Sequence, residues 1–475
     1  MKRNEIIGRT EEMHTLSYRY GTNQAELVVV YGRRRVGKTF LIRSYFNNQF
    51  DFCFVGAHDA PTRVQLKNFT ETLRDYGLAV DQEPKNWWDA FNLLYDYLKS
   101  LPKDRRLVVF FDEMPWMDNG RNQFASAFEY FWNAHGSCLN NLMFIVCGSA
   151  STWIFSKIFR NRGGLYNRTT ARIHLKPFTL GETEQFLQSK GINWSRYSIA
   201  ECYMVMGGVP FYLNQLSVRQ TLGDNIDRLF FAPNALLRDE YSNLIKTAVL
   251  NAESSELIIQ ALATKSIGLT RQEIIKKTGL PNNGNLKKVL QHLEESDFVR
   301  IYNYYGQRQR DMMYQLKDFY LLFYFHFLKD RHGPDRHYWA KTMSSPVHRA
   351  WAGYAFEQVC KAHLEKVKKA LGISGVLTYT SSWFGKSADN AGAQIDLLIE
   401  RADHVINVCE IKFSENEYVI TKDYDMKLRN KMSAFRYAER IGNKALHLSF
   451  ITTYGVKRNM YGDIVQSQVV LDDLF

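Results

Sequence analysis

The sequence predicts an α/β chain that opens with a parallel sheet covered by crossover helices and continues through a helical segment into smaller mixed parts. Three observations carry this. Residues 27–31, 107–111 and 144–147 are short apolar runs separated by longer helical stretches, and strands apolar on both faces belong to a covered parallel sheet. Between residues 180 and 241 the pattern turns helical, broken mainly at Gly207, Gly208 and Pro210, which suits a small helical lid. Beyond residue 345, the runs 394–399 and 405–412 flank a polar turn at 401–404, the pattern of a hairpin in a mixed sheet.

Composition sets the outer bounds. The 475 residues, 45% of them hydrophobic and 14% aromatic, exclude a disordered chain, because enough apolar surface is available to offset ordering entropy. That length suggests roughly three folding units. Lys and Arg number 61 against 49 Asp and Glu, a formal charge of +12, which points weakly toward polyanions. No apolar run approaches the ~20 residues of a membrane helix, and residues 1–8 lack a long hydrophobic stretch, so a cytoplasmic protein without membrane contact is expected. Six scattered cysteines without a C-x-x-C pair encode neither a disulfide framework nor a zinc cage and are expected to be buried thiols.

The strongest motif follows the run 27–31. Gly32-Arg33-Arg34-Arg35-Val36-Gly37-Lys38-Thr39 leads into the helical Phe40-Leu41-Ile42-Arg43, which is G-x-x-x-x-G-K-[ST] between a strand and a helix. Its glycines let backbone N–H groups turn toward a β-phosphate, Lys38 neutralises β and γ oxygens, and Thr39 ligates Mg²⁺. The run 107–111 ends in Asp112 and Glu113, which sets Asp112 beside the Mg²⁺ and Glu113 where it can polarise an attacking water.

With those residues, the first half of the chain, 6 to about 240, resembles an AAA+ type P-loop ATPase of the archaeal and bacterial family related to the STAND regulatory NTPases. Ile7-Gly8-Arg9-Thr10-Glu11-Glu12 is similar to the family's G-R-x-x-E element near the adenine, which implies Gly8 and Arg9 there. Ser149, after the run 144–147, stands in the place of the polar sensor of the γ-phosphate, and Gly207-Gly208-Val209-Pro210 is similar to the G-x-P lid motif, implying Pro210 near the base. The segment 165–172 resembles L-Y-x-R, with Arg168 as first choice and Arg172 as second for a cation on the transferring phosphoryl group.

A second constellation lies in the carboxyl-terminal hairpin. Glu410 and Lys412 alternate onto one strand face, and pairing brings Asp396 alongside. Two carboxylates can hold Mg²⁺ while a lysine orients water for attack on a phosphodiester. This is similar to the PD-(D/E)XK nuclease fold, which implies Glu357, on a preceding helix, as a further metal-side carboxylate with Asp396 and Glu410. Ile395 stands where that family usually has proline.

Residues 254–316 have helix-turn-helix spacing followed by a tyrosine-rich hairpin, a winged helix. Its recognition helix, 285–295, carries Lys287, Lys288 and His292, with Arg308 and Arg310 on the wing. Glu294, Glu295 and Asp297 oppose DNA contact, and a purely structural arm stays open, with Tyr302, Tyr304 and Tyr305 as hairpin core. The expected domains are an ATPase core at 1–178, a helical lid at 179–250, the winged helix at 251–318, a linker helix at 319–344 and a nuclease-like domain at 345–475. The whole architecture resembles a family that couples such an ATPase to a nuclease-like domain.

The expected function is an ATP-binding and hydrolysing switch coupled to a metal-dependent nuclease-like domain that acts on or binds nucleic acid. Its cofactors would be ATP and Mg²⁺, with Mn²⁺ an option at the carboxyl-terminal site. Its partners would be ATP and nucleic acid, with self-association and a protein partner left open. The alternative is an ATP-dependent DNA- or protein-binding regulator whose nuclease-like domain is inactive.

Overall fold

A computed structural model describes residues 6–149, 151–160, 165, 167–248, 251–306, 312–331, 333–386 and 392–475. The chain forms two compact units, residues 1–177 with 247–250, and residues 178–246 with 251–475. Tyr166, Arg308 and Arg310 lie outside the described residues.

In the first unit, β1 (Glu26–Tyr31), β2 (Phe52–Val55), β3 (Leu107–Asp112), β4 (Leu142–Gly148) and β5 (Ala171–His174) form one parallel sheet in the order β2-β3-β4-β1-β5. Leu27, Val29, Phe111 and Phe144 enter the apolar core on one face, while Val28, Val30, Phe110 and Ile145 enter that on the other. Alternation along the strands therefore buries both faces. β5 carries no such apolar run, because Arg172 is exposed at one sheet edge, while β2 is apolar in sequence with Cys53 half-buried and Val55 exposed at the other edge. The order matters for the site. β4 lies between β1 and β3, so the carboxyl ends of these three strands stand side by side.

The second unit begins with Thr179, whose hydroxyl and Glu182 form a capping box on the helix Leu180–Ser189. Gly207 and Gly208 end the helix Arg196–Met206 in left-handed geometry, φ 65° each, and Pro210 opens the next helix, Pro210–Leu213. A Cβ on Gly208 would stand 2.2 Å from the Phe178 carbonyl oxygen, a separation no side chain tolerates. Helices Ala252–Ala263, Arg271–Thr278 and Gly284–Glu295 accompany a three-stranded antiparallel sheet of β6 (Leu269–Thr270), β7 (Val299–Tyr302) and β8 (Met313–Leu316). Lys287 and Lys288 are exposed on the last of these helices, but His292 is buried with Leu293 on the inward face, so it is not a phosphate contact.

The aromatic helix Phe319–Phe327, expected as a linker, is instead a hub of the second unit. The Phe323 ring lies 5.0 Å from Phe230, 5.2 Å from Phe327, 5.3 Å from Trp339 and 5.8 Å from Trp351. No described helix is long and apolar enough to cross a membrane. Among the cysteines, Cys138 is exposed and Cys53 half-buried, against the expectation of burial, and the other four are buried.

The last sheet has the order β13-β12-β11-β10-β9, where β9 is Thr378–Lys386, β10 Gly392–Arg401, β11 Val405–Lys412, β12 Ala445–Thr452 and β13 Ser467–Val470. β9, β10 and β11 pair antiparallel, and β11, β12 and β13 pair parallel, a mixed sheet. The β9–β10 register slips between Ile395 and Leu398. This β-bulge falls on Asp396 and Leu397, the kind of feature that re-aims a side chain.

Phe323→Ala is expected to lower the stability of the second unit by about 3–5 kcal/mol, read as a fall in that unit's melting transition. The first unit's transition is expected to stay in place, and a shift of both or neither counts against the hub.

Candidate functional site

Past β1 the chain turns at Gly32 (φ 140°), passes Arg35 and Gly37 at φ 68° and 92°, and enters the helix Lys38–Tyr45. Gly32 is required, because a Cβ there would stand 2.3 Å from the Leu175 carbonyl oxygen. Buried Lys38 donates from Nζ to the carbonyls of Gly32 and Arg33, both at 3.0 Å. Thr39 Oγ1 donates to Asp112 Oδ1 at 3.1 Å, which also accepts the Glu113 N–H at 3.1 Å. Glu113 turns the chain at φ 46°, and its Oε2 accepts from the Ser149 N–H at 3.1 Å and the Ser149 hydroxyl at 2.9 Å. The strand order explains that contact. Ser149 follows the strand between the loop and the acids, so it stands next to both.

Burial pulls the Lys38 ammonium below its ordinary pKa, and the nearby charges of Glu113 and Asp112 partly offset this. Burial likewise raises Asp112, against the hydrogen bonds from Thr39, Cys147 and the Glu113 N–H. The site thus holds a hydroxyl and a carboxylate in contact, a donor set suited to Mg²⁺. The Cys147 contact was not read from the sequence, where it looks like one more apolar strand residue.

Arg9, at φ 57°, donates from Nη2 to the Val36 carbonyl at 3.2 Å, following Gly8 at φ 63°. Phe40 is exposed on the first turn of the helix. Arg168 is exposed, whereas Arg172 lies over the Phe159 ring at 4.3 Å and donates to Thr169 Oγ1 at 3.1 Å. Pro210 belongs to the second unit.

Residues 7–216 match the model of an ATPase domain predominantly from Archaea. This part of the chain is a P-loop ATPase domain. An uncharacterized protein of Methanocaldococcus jannaschii is 23% identical over 426 residues, 89% of each chain. An uncharacterized ATP-binding protein of the same organism is 44% identical over 44 residues, 9% of this chain and 75% of that one. Among solved structures, the Walker-type ATPase of Pyrococcus abyssi aligns at 18% identity and TM-score 0.48, covering 68% of this chain and 97% of that one.

Beside the ATPase domain's loop, the chain has a second set of charged residues in the carboxyl-terminal sheet. The β10–β11 register pairs Leu397 with Cys409, which sets Asp396 opposite Glu410 one step further on. The two acids nevertheless have different surroundings. Glu410 shares its strand face with Ile406 and Val408, which pack with Leu428 and Phe435 of the helix Lys422–Glu439. It therefore meets that helix. Its Oε1 lies 2.8 Å from Lys412 Nζ and accepts from the Tyr424 hydroxyl, and its Oε2 lies 2.7 Å from Lys431 Nζ. Burial would raise this carboxyl, but Lys412 and Lys431 outweigh it and hold the pKa down to about 2.

Asp396, on the bulge, lines a small cavity with Glu357, Lys361, Gln394 and Trp383, and accepts from Gln394 Nε2 at 2.6 Å. Burial, then the charge of Asp396, pushes Glu357 up to about 8. Two carboxylates on one polar cavity fit a hard divalent cation. The expected set of three is not assembled: among the described residues no three His, Cys, Asp or Glu side chains stand close enough to hold a metal. Glu410 is engaged by two lysines instead. Tyr424 and Lys431, seven residues apart on one helix face, and Lys361, one turn beyond Glu357, escaped the sequence reading.

Glu410 carries a depressed pKa, so its stabilisation is complete above the ordinary carboxyl value of 4.5 and is lost as pH falls toward about 2. Glu410→Gln, which strands two lysines, is expected to cost about 3 kcal/mol at neutral pH. In denaturant titrations the gap from the parent is expected to close between pH 4.5 and about 2; a gap independent of pH would refute the pairing.

Proposed function

We propose that the chain is an ATP-hydrolysing switch whose second unit carries a nuclease-like, metal-dependent module acting on nucleic acid. The observation that carries the second half is the pairing of Glu357 and Asp396 on one cavity beside Lys361, on the same chain as the ATPase domain. In that domain Lys38 already lies within its loop, so exchanging two carbonyls for phosphate oxygens needs little rearrangement. Thr39 and Asp112 would hold Mg²⁺, which neutralises phosphate charge when bound. Ser149 holds Glu113 here. A γ-phosphate that takes over the Ser149 hydroxyl releases Glu113 to orient the attacking water, which ties the general base to occupancy of the loop. Arg172 is engaged with Phe159, and the cation for the transferring group is therefore assigned to exposed Arg168.

In the nuclease-like module, Glu357 and Asp396 would hold a divalent ion, which supplies Lewis acidity toward the phosphodiester. Lys412, kept protonated by Glu410, orients the incoming water. The second reading is an ATP-dependent regulator with an inactive module, and the engagement of both Glu410 oxygens by lysines favours it.

Lys38→Ala is expected to abolish ATP hydrolysis, and Glu113→Gln to slow turnover about 10²–10⁴-fold with ATP still bound. With Mg²⁺ or Mn²⁺, the full chain is expected to cleave single- or double-stranded DNA or RNA. Asp396→Asn and Lys412→Ala are expected to lose cleavage and keep ATP hydrolysis. An active ATPase that cleaves none of these substrates, with or without ATP, would leave the regulator reading.

A further inference from the structure

Next to Asp396 lies a second, larger cavity of about 340 Å³. Its walls come from β7, β8, β9, β10 and the helix Pro346–Ala362, all within the second unit, and include Arg300, Gln315, Lys361, Thr380, Ser381 and Asp396. Arg300 pairs with Gln315 across β7 and β8, so both side chains leave the same face of that small sheet. Lys361 follows Glu357 by one helical turn and thus faces the same side of its helix.

Arg300 is the poorly compensated cation, whereas Lys361 also faces Glu357 and Asp396 on the smaller cavity. Burial lowers Arg300 to about 10, and the groups that ease its charge are the phenols of Tyr354 and Tyr302, not a carboxylate. Gln315 adds an independent sign of a ligand. It is only 1% exposed and donates from Nε2 to the Ser266 carbonyl at 2.6 Å, yet its Oε1 has no hydrogen-bond partner in the structure. Buried acceptors are seldom left so. A cavity with two cations against the single carboxylate of Asp396, two hydroxyls and one free acceptor matches an anion that bears a neighbouring donor.

We propose that this cavity is a phosphate-ester subsite, in which Arg300 and Lys361 bind the phosphate oxygens and Gln315 Oε1 accepts from an adjacent hydroxyl of the ligand. Two sources share that chemistry, a mononucleotide and the backbone of a nucleic acid. The subsite deepens the reading of the second unit as acting on nucleic acid and rests on it for the identity of the ester. It also gives a segment expected to be a winged helix a role through β7, not through its exposed helix.

The test uses the full chain carrying Lys38→Ala, in EDTA and without ATP, so that neither the P-loop nor a metal contributes. Fluorescence anisotropy follows a labelled single-stranded oligonucleotide, with AMP as competitor. Arg300→Gln and Lys361→Gln are each expected to weaken binding about tenfold and to flatten the dependence of log affinity on log salt by about 0.7. Ser381→Glu, which keeps both cations and their packing, is expected to weaken binding to a similar extent. Displacement by AMP assigns the site to mononucleotides, and resistance to AMP assigns it to the polymer backbone. Absence of oligonucleotide and AMP binding in the parent, or unchanged affinity and salt slope in the folded variants, overturns the subsite. Lost cleavage with this binding intact overturns only the nuclease reading, and intact cleavage with this binding absent overturns only the subsite.

Discussion

A buried charge must have a partner, and that constraint organises both halves of this chain. Removing an ion from water costs several kcal/mol unless hydrogen bonds and opposite charge replace the solvent. In the ATPase domain Lys38 is held by two carbonyls, Asp112 by the Thr39 hydroxyl, and Glu113 by Ser149. Each of these contacts is one that a nucleotide and its ion can replace, so the resting arrangement is already shaped for its ligand. In the second unit Glu410 satisfies the same constraint internally, through Lys412, Lys431 and Tyr424. Glu357 and Asp396 share Lys361 on their cavity, and Arg300 has no carboxylate among the groups that ease its charge.

Topology decides which groups meet. The order β2-β3-β4-β1-β5 sets Ser149 beside both the loop and Glu113, which adjacent placement of β1 and β3 would not do. In the last sheet the bulge at Asp396 and Leu397 gives Asp396 surroundings different from those of Glu410, although the ladder sets them opposite. One slipped residue thus separates an internally paired acid from one that faces a cavity.

What was legible in the sequence was local. The loop from Gly32 to Thr39 carries its glycines, lysine and hydroxyl within one strand-to-helix turn, and Asp112 and Glu113 announce themselves by ending an apolar strand. The hairpin of β10 and β11 was legible for the same reason. The edge strand β5 was not, since a sheet edge accepts residues such as Arg172 that break an apolar run. The helix Phe319–Phe327 shows almost no amphipathic pattern because it is buried on most sides, so sequence could not separate a hub from a linker. Two of the partners of Glu410, Tyr424 and Lys431, lie 14 and 21 residues away, and only the packing of a helix on the sheet brings them to it. The inward turn of His292 likewise depends on which helical face the fold buries.

The central claim is that the cavity pair Glu357 and Asp396, and not the lysine-paired Glu410, draws a divalent ion to the second unit. Calorimetric titration of Mn²⁺ into the full chain carrying Lys38→Ala and Asp112→Asn tests it most directly, because the nucleotide site is then silent. The account predicts uptake of one ion that disappears with Asp396→Asn and persists with Glu410→Gln. No uptake, or uptake that survives Asp396→Asn, would contradict it.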